Sequence, residues 1–409
     1  MELQEKSTLS KKHIIFIIST FGGYLVYAFL FNGFGTNAPV MMKFYSITST
    51  QQGFIFTMQS IGALLMAIYL SLHGERYNKI YLSALGVLMF GAASLAVGFA
   101  PPYIALILLV MVGGAGYSIL DVMLNSIIPE LYPKLKNTLL PILHAFFGAG
   151  AMLIPLIVTG MVNPDIPATF TGPFLLIGGL GIGVAVLLYI AGRNIIAGTP
   201  YSDMESVKKR VAENPAEIFK TGKAWAFLMA GFLYFTFQVG IISWLPSYCE
   251  EVGMDFSTSG RMLTAFFVGS LIMRFTGPLI LKKLTAQKAY IFFSFLSGLA
   301  IAAALIFVNP TLMMILLVLG GFMQGSCVAF LFLMCTEAFP HRVASASSLV
   351  SIAVNVAAMS APLWMGGIAE ITGGFLLPLL LVCASMVLSV VLVFLIGRRE
   401  KNGAVAKRK

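Results

Sequence analysis

Twelve apolar segments, most of them 20 residues or longer, follow one another along this chain. They lie at about 13–41, 52–72, 79–99, 103–127, 137–160, 171–192, 223–247, 259–281, 287–307, 311–335, 344–368 and 373–396. About 20 apolar residues in a helix cross the hydrocarbon core of a bilayer. No water reaches the backbone there, so each segment must satisfy its own N–H and C=O groups, and a helix does so. The fold class expected is therefore an all-α membrane protein with twelve transmembrane helices in two six-helix halves. Composition agrees: only 10% of the 409 residues are charged, against about 25% in a soluble domain.

The charges that remain set a direction. Of the 26 lysines and arginines, 23 fall on one side of the predicted spans; the others are Lys43, Arg261 and Arg274. The positive-inside rule then puts both termini and the central loop in the cytoplasm. The net charge of +10 is accounted for by topology, so nucleic acid is not an expected partner. Residues 1–192 form an N-terminal half, 193–222 a cytoplasmic linker, 223–398 a C-terminal half and 399–409 a basic tail. In the linker, Ser202 and Glu205 stand three apart as in a capping box, which predicts a short helix before Pro215. The first apolar run is too long for a cleavable signal and ends in no small-residue cleavage site. Cys249, Cys327, Cys335 and Cys383 lack metal-ligand spacing and read as small hydrophobes.

The halves repeat one another. A constant offset of 207 residues pairs Tyr27 with Tyr234, Gly33 with Gly240, Pro39 with Pro246, Gly53 with Gly260 and Thr57 with Thr264. The same register joins Gly62/Gly269, Gly91/Gly298, Gly113/Gly320, Gly114/Gly321, Glu130/Glu337, Pro133/Pro340 and Pro155/Pro362. Glycine and proline mark kinks and close helix contacts, which a duplicated fold would share. Parallel halves imply an axis along the membrane normal and a solute site between them near the midplane. In this the chain resembles the major facilitator superfamily over its whole length. The superfamily's loop motif Gly-x-x-x-Asp-Arg-x-Gly-Arg-Arg survives in part as Ser71, Glu75, Arg76, Asn78 and Lys79. The resemblance implies an inner-gate role for Glu75 and Arg76.

Departures from the repeat carry the chemistry. Asp121, His144 and Arg274 have Val328, Ser351 and Ala67 at their repeat positions. A carboxylate inside an apolar helix is costly and commonly marks an ion or solute path. Asp121 and Asn125, four apart, share a helix face. Asp121 and His144 each lie roughly 7 residues from the same boundary, so a rise of about 1.5 Å per residue puts both ~10 Å deep. Two readings stay open: a proton-carrying pair, or a polar pin between helices. The run GAGYSILDVMLNSIIPELYP…LHAFFGAGAMLIP then resembles the fucose:proton symporter family, through Gly114, Gly116, Asp121, Asn125, Leu143, His144, Phe147, Gly148, Gly150, Ala151 and Pro155. The resemblance implies proton coupling or sugar contact at Asp121. That family can carry a second acid in its first helix, where this chain has Asn32 and Asn37.

Gln238, Gln324 and Asn355 fall near mid-membrane, and with Trp244 they offer amides and an aromatic face for hydroxyls. Glu130 and Glu337, beside Lys134 and Arg342, read as inner-gate salt bridges. Arg274 can anchor by snorkelling or meet a solute anion. No Walker motif, HExxH or nucleophile constellation occurs, so an ATP-driven pump and an enzyme are not expected. No metal or cofactor is expected either. The reading is a monomeric, proton-coupled secondary transporter of a small polar solute such as a sugar, in a bacterial cytoplasmic membrane. Alternatives are a proton-exchange exporter of an amphipathic compound or organic anion, and a solute sensor without turnover, for which a folded signalling extension would be expected. Orientation is checked by labelling with an impermeant thiol reagent. Cysteines placed at Asp165 and Ser257 should react in intact cells and one at Glu213 only after lysis; reaction of Glu213 from outside would reverse the topology.

Overall fold

A computed structural model describes residues 10–74, 77–133, 135–196, 215–339 and 343–406. These residues form α-helices and short 3-10 turns, without a strand. In order they are α1 (Lys11–Tyr45), α2 (Ser49–His73), α3 (Lys79–Val97), α4 (Tyr103–Leu131), α5 (Lys136–Met161), α6 (Thr171–Ile196) and α7 (Gly222–Glu251). There follow α8 (Phe256–Ile280), α9 (Ala286–Ile306), α10 (Pro310–Gln324), α11 (Cys327–Ala338), α12 (Val343–Thr372) and α13 (Leu376–Ala406). Eleven stretches among the described residues are long and apolar enough to cross a bilayer, α10 and α11 together making one of them. The remaining segment is α8, which carries Arg261 and Arg274. Large side chains such as Phe99, Ile104 and Ile371 stand exposed, as lipid-facing positions must. The protein is a multi-pass membrane protein. The helix expected around Ser202 and Glu205 lies outside the described residues.

Polar residues begin the helices, and they do so in repeat register. The Asn78 side chain accepts from the N–H groups of Ile80 and Tyr81 at the start of α3. Thr285, at the equivalent position, accepts from Lys288 at the start of α9. Likewise Thr48 takes the Gln51 N–H before α2, and Asp255 takes the Thr258 N–H before α8. Each cap satisfies a donor that the helix itself leaves orphaned. The Thr258 hydrogen bonds also hold the Asp255 carboxyl below the ordinary aspartate range.

The chain divides into two compact units. One comprises Met1–Leu30, Gly62–Gly150 and Phe174–Val211; the other comprises Phe31–Ile61, Ala151–Pro173 and Ala212–Lys409. Within the first, a Cβ at Gly62 would lie 1.9 Å from the Met111 carbonyl oxygen. Within the second, a Cβ at Gly269 would lie 2.0 Å from the carbonyl of Val318, the repeat equivalent of Met111. The duplicated fold thus keeps one backbone-to-backbone helix contact in each unit, of the kind small residues permit in membranes.

The second unit also joins segments from both sequence halves, with repeat partners exchanged. Thr57 Oγ1 donates to the Met359 carbonyl at 2.7 Å, and Thr264 Oγ1 to the Met152 carbonyl at 3.1 Å. Gly53 packs on Pro362, and Gly260 on Pro155 and Thr159. A two-fold pseudosymmetry generates this pairing, because each contact implies its mirror. Gly269→Ala should lower thermal stability in detergent by about 1–3 kcal/mol, the usual cost of overpacking. Gly179→Ala, where an added Cβ meets nothing within 4 Å, should change it little. Equal melting of the two variants would refute the contact.

Candidate functional site

The first unit holds a polar cluster on α1, α4 and α5. The Tyr24 hydroxyl donates to Asp121 Oδ1 at 2.5 Å. Asn125 Nδ2 lies 2.9 Å from Tyr24 Oη, 2.9 Å from the Asp121 carbonyl oxygen and 3.2 Å from Asp121 Oδ1. The four-residue spacing on α4 puts aspartate and asparagine one turn apart, so the amide can bond both acidic side chain and backbone. Tyr24 is fully buried, whereas Asp121 and Asn125 remain partly accessible. His144 meets the cluster through Tyr24: the two rings stand edge to face with centroids 5.6 Å apart. Asp121 and His144 therefore share one neighbour, the Tyr24 side chain.

Tyr24 was not among the residues picked from the sequence, although its repeat equivalent is Gly231. The asymmetry that singles out Asp121 applies to it equally. Tyr27 and Tyr117 complete the wall, stacked at 4.8 Å with Phe147 against Tyr27 at 4.9 Å.

In the second unit the equivalents of Tyr27 and Tyr117 are Tyr234 and Gln324, and they touch as well. Gln324 Nε2 donates to Tyr234 Oη at 2.8 Å, and that hydroxyl donates back to the Gln324 carbonyl at 3.3 Å. Gln324 Oε1 is buried without a partner among the described residues. Gln238 is half-buried. Asn355 spends its amide on the Ser351 carbonyl of its own helix at 2.9 Å. Asn32 and Asn37 are buried on α1, and neither amide atom of Asn37 has a partner among the described residues. Trp244 is taken up in packing: wholly buried, it stacks on Phe375 and gives its indole N–H to the Pro362 carbonyl. So enclosed, the indole presents no face to a solute in this conformation.

The residues expected at the gates divide. Glu75, Arg76, Lys134 and Arg342 lie outside the described residues. Glu130 instead finds Lys79 at 2.5 Å, and Ser126 bonds both. Glu337 is exposed at the rim of a cavity of about 890 Å³ that Lys223, Lys288 and Arg398 also line. A second set of polar contacts sits at the opposite, charge-poor helix ends. Lys43 Nζ lies 3.7 Å from Glu250 Oε2, and Thr50 Oγ1 donates to Glu370 Oε2 at 2.6 Å. Glu251 accepts the Phe375 N–H there at 2.6 Å. Each of these joins α1, α2 or α7 to a neighbour within the second unit.

Comparison with known proteins follows this geometry. The sequence profile of the Major Facilitator Superfamily matches residues 20–312 and 250–409. The inner membrane transport protein YdiM of Escherichia coli is 22% identical over 83% of this chain and 84% of its own. The cis,cis-muconate transport protein of Acinetobacter baylyi is 24% identical, over 81% and 80%. Among solved structures, a bacterial homologue of the lysosomal transporter Spinster, inward-facing and occupied, has a TM-score of 0.78 at 15% identity, covering 96% of this chain and 98% of its own. A D-xylose–proton symporter follows at 0.72 and 13%, covering 94% and 97%. The transporter FucP in its outward conformation stands at 0.63 and 15%, covering 94% and 99%.

The Lys79–Glu130 pair is unequal, since the lysine side chain is 6% exposed and the glutamate 34%. Glu130→Gln removes the counter-charge of a buried ammonium and should cost about 3 kcal/mol of stability. Lys79→Met leaves a carboxylate that water can reach and should cost less, and the double variant should recover part of the Glu130→Gln loss. Thermal unfolding of the four proteins checks this ordering; a larger loss in Lys79→Met would contradict it.

Proposed function

The chain belongs to the Major Facilitator Superfamily, and on that footing we propose that it is a proton-coupled secondary transporter of a small polar organic solute, working by alternating access. One observation carries the reading: the singular carboxylate Asp121 is bonded at once to Tyr24 of α1 and Asn125 of its own α4, beside His144 of α5. As a carboxylate, Asp121 only accepts hydrogen bonds. A proton on the carboxyl adds a donor and weakens its acceptance from Tyr24, so the Tyr24 hydroxyl is free to turn and accept instead. Loading a proton thus changes the contact between α1 and α4. That is the coupling a symporter or exchanger needs, because an ion biases a conformational equilibrium only through a difference in contacts.

The arrangement of charge supports the rest. With the lysine-rich ends in the cytoplasm, the Lys43–Glu250 and Thr50–Glu370 contacts lie at the outer ends. They then act as closures of the external side. Asn32, Asn37, Asn125, Gln238, Gln324 and Asn355 supply amides of the kind that read hydroxyls. The names of related transporters, which include D-xylose and cis,cis-muconate among their solutes, are consistent with a small polar cargo. The proposed setting is a bacterial cytoplasmic membrane with both termini inside.

Thermal-shift screening of the purified protein against hexoses, pentoses, nucleosides and small organic acids identifies a solute, since a ligand bound by the native state raises apparent stability. Asp121→Asn should then keep solute binding and exchange in proteoliposomes but lose accumulation driven by a proton gradient. Its amide oxygen still accepts from Tyr24, and a neutral group costs less in lipid, so its melting temperature should be no lower than that of the parent. Gradient-driven accumulation at the parental level in Asp121→Asn would overturn the coupling role. A ligand that binds without any flux would favour the sensor reading.

A further inference from the structure

Arg274 lies on α8, partly buried, and makes no hydrogen bond or ion pair with any described residue. Snorkelling to a lipid interface does not suit its position. Ile272, Phe275 and Leu279 form the exposed apolar face of α8. Arg274 stands two residues from Ile272, about 200° round the helix, on the side turned to the bundle. There it falls within electrostatic reach of the Tyr234 hydroxyl. A guanidinium in the membrane interior is costly unless a counter-charge meets it.

The ground beside it is unusual. The tenth span breaks at Gly325–Ser326 into α10 and α11, while its repeat equivalent, α4, runs unbroken through Ser118 and Ile119. The break is therefore not inherited from the duplicated fold. It is held against α8 before Arg274, at Ser270 and Met273, and after it, at Gly277, where a Cβ would lie 2.3 Å from Ser326 Oγ. Ser326 Oγ donates to the Met273 carbonyl at 2.7 Å, and a Cβ at Gly325 would lie 2.2 Å from the Ser270 carbonyl oxygen. α11 starts with no capping side chain, so its first N–H groups add positive potential. Broken membrane helices persist where they line a polar site.

Gln324, the last residue of α10, adds a complementary group. The single Tyr234 proton goes to the Gln324 carbonyl, so the hydroxyl accepts from Nε2 and leaves Oε1 as an unused buried acceptor. The site thus offers one cation and one acceptor. Resting on the transporter reading, we infer that the solute is a hydroxylated organic acid with a single carboxylate, which Arg274 binds at the α10–α11 break while Gln324 accepts a hydroxyl. One guanidinium balances a monocarboxylate, and its fork matches the two oxygens. A dianionic phosphate would leave a net charge in the membrane.

Matched pairs decide it: D-glucose against D-gluconate and D-glucuronate, and D-galactose against D-galacturonate, titrated by thermal shift on the full-length protein. The acids should bind at least about tenfold more tightly than the neutral sugars, the scale of a charge-assisted hydrogen bond. Arg274→Gln should remove that preference and weaken acid binding by about tenfold or more. Arg274→Lys, which keeps the charge and serves if the glutamine variant does not fold, should fall between. Equal binding of acid and sugar, binding of none of the acids, or acid affinity unchanged in both variants would overturn the inference. Proton-driven uptake of a neutral sugar, unaffected by Arg274→Gln, would remove the anion site and leave the transporter. An acid bound through Arg274 but never accumulated would keep the site and remove coupled transport.

Discussion

The absence of water in the hydrocarbon core governs everything else in this molecule. A backbone without water must bond to itself, so the chain is helical wherever it crosses. The same absence raises the cost of any polar side chain and makes each one informative. Association of the helices cannot draw on the hydrophobic effect, since lipid is as apolar as leucine. Close approach at glycine takes its place, as at Gly62 on Met111 and Gly269 on Val318. Sheer apolarity thus explains the architecture, and the few exceptions explain the chemistry.

Those exceptions sort by symmetry. Contacts that recur at the 207-residue offset are scaffold: the capping residues Asn78 and Thr285, and the threonines 57 and 264 on Met359 and Met152. Groups that break the repeat are concentrated in two places. In the first unit, Tyr24 and Asp121 replace positions held elsewhere by glycine and valine. In the second, Arg274 lies on α8, which packs on a helix break that the first half lacks. The tyrosine pair shows both behaviours. Tyr27 stacks on Tyr117, while Tyr234 bonds Gln324 at the equivalent positions. A shared wall has been given different hydrogen-bonding capacity in each half.

An acidic group on one half and a basic group on the other give the two units different tasks. Asp121 is tied to partners on α1 and α4, which suits the switch we propose for it. Arg274 has no protein partner among the described residues and so suits a ligand. The proposed coupling of a proton to a charged solute would use both kinds of group, and a duplicated scaffold supplies two places to put them.

The sequence by itself determined the helices, their number to within the broken tenth span, the internal repeat, the superfamily and the singularity of Asp121. All of these rest on apolar length, residue spacing or a fixed register, which are properties of the chain read in order. Only the tertiary structure decided who meets whom. It placed Tyr24 between Asp121 and His144, gave Glu130 to Lys79, enclosed Trp244 in packing and left Arg274 without a partner among the described residues. Periodicity tells how deep a residue lies and roughly which way it points. Partners come from other helices whose rotation and contact are set by packing, and no spacing along one segment encodes that.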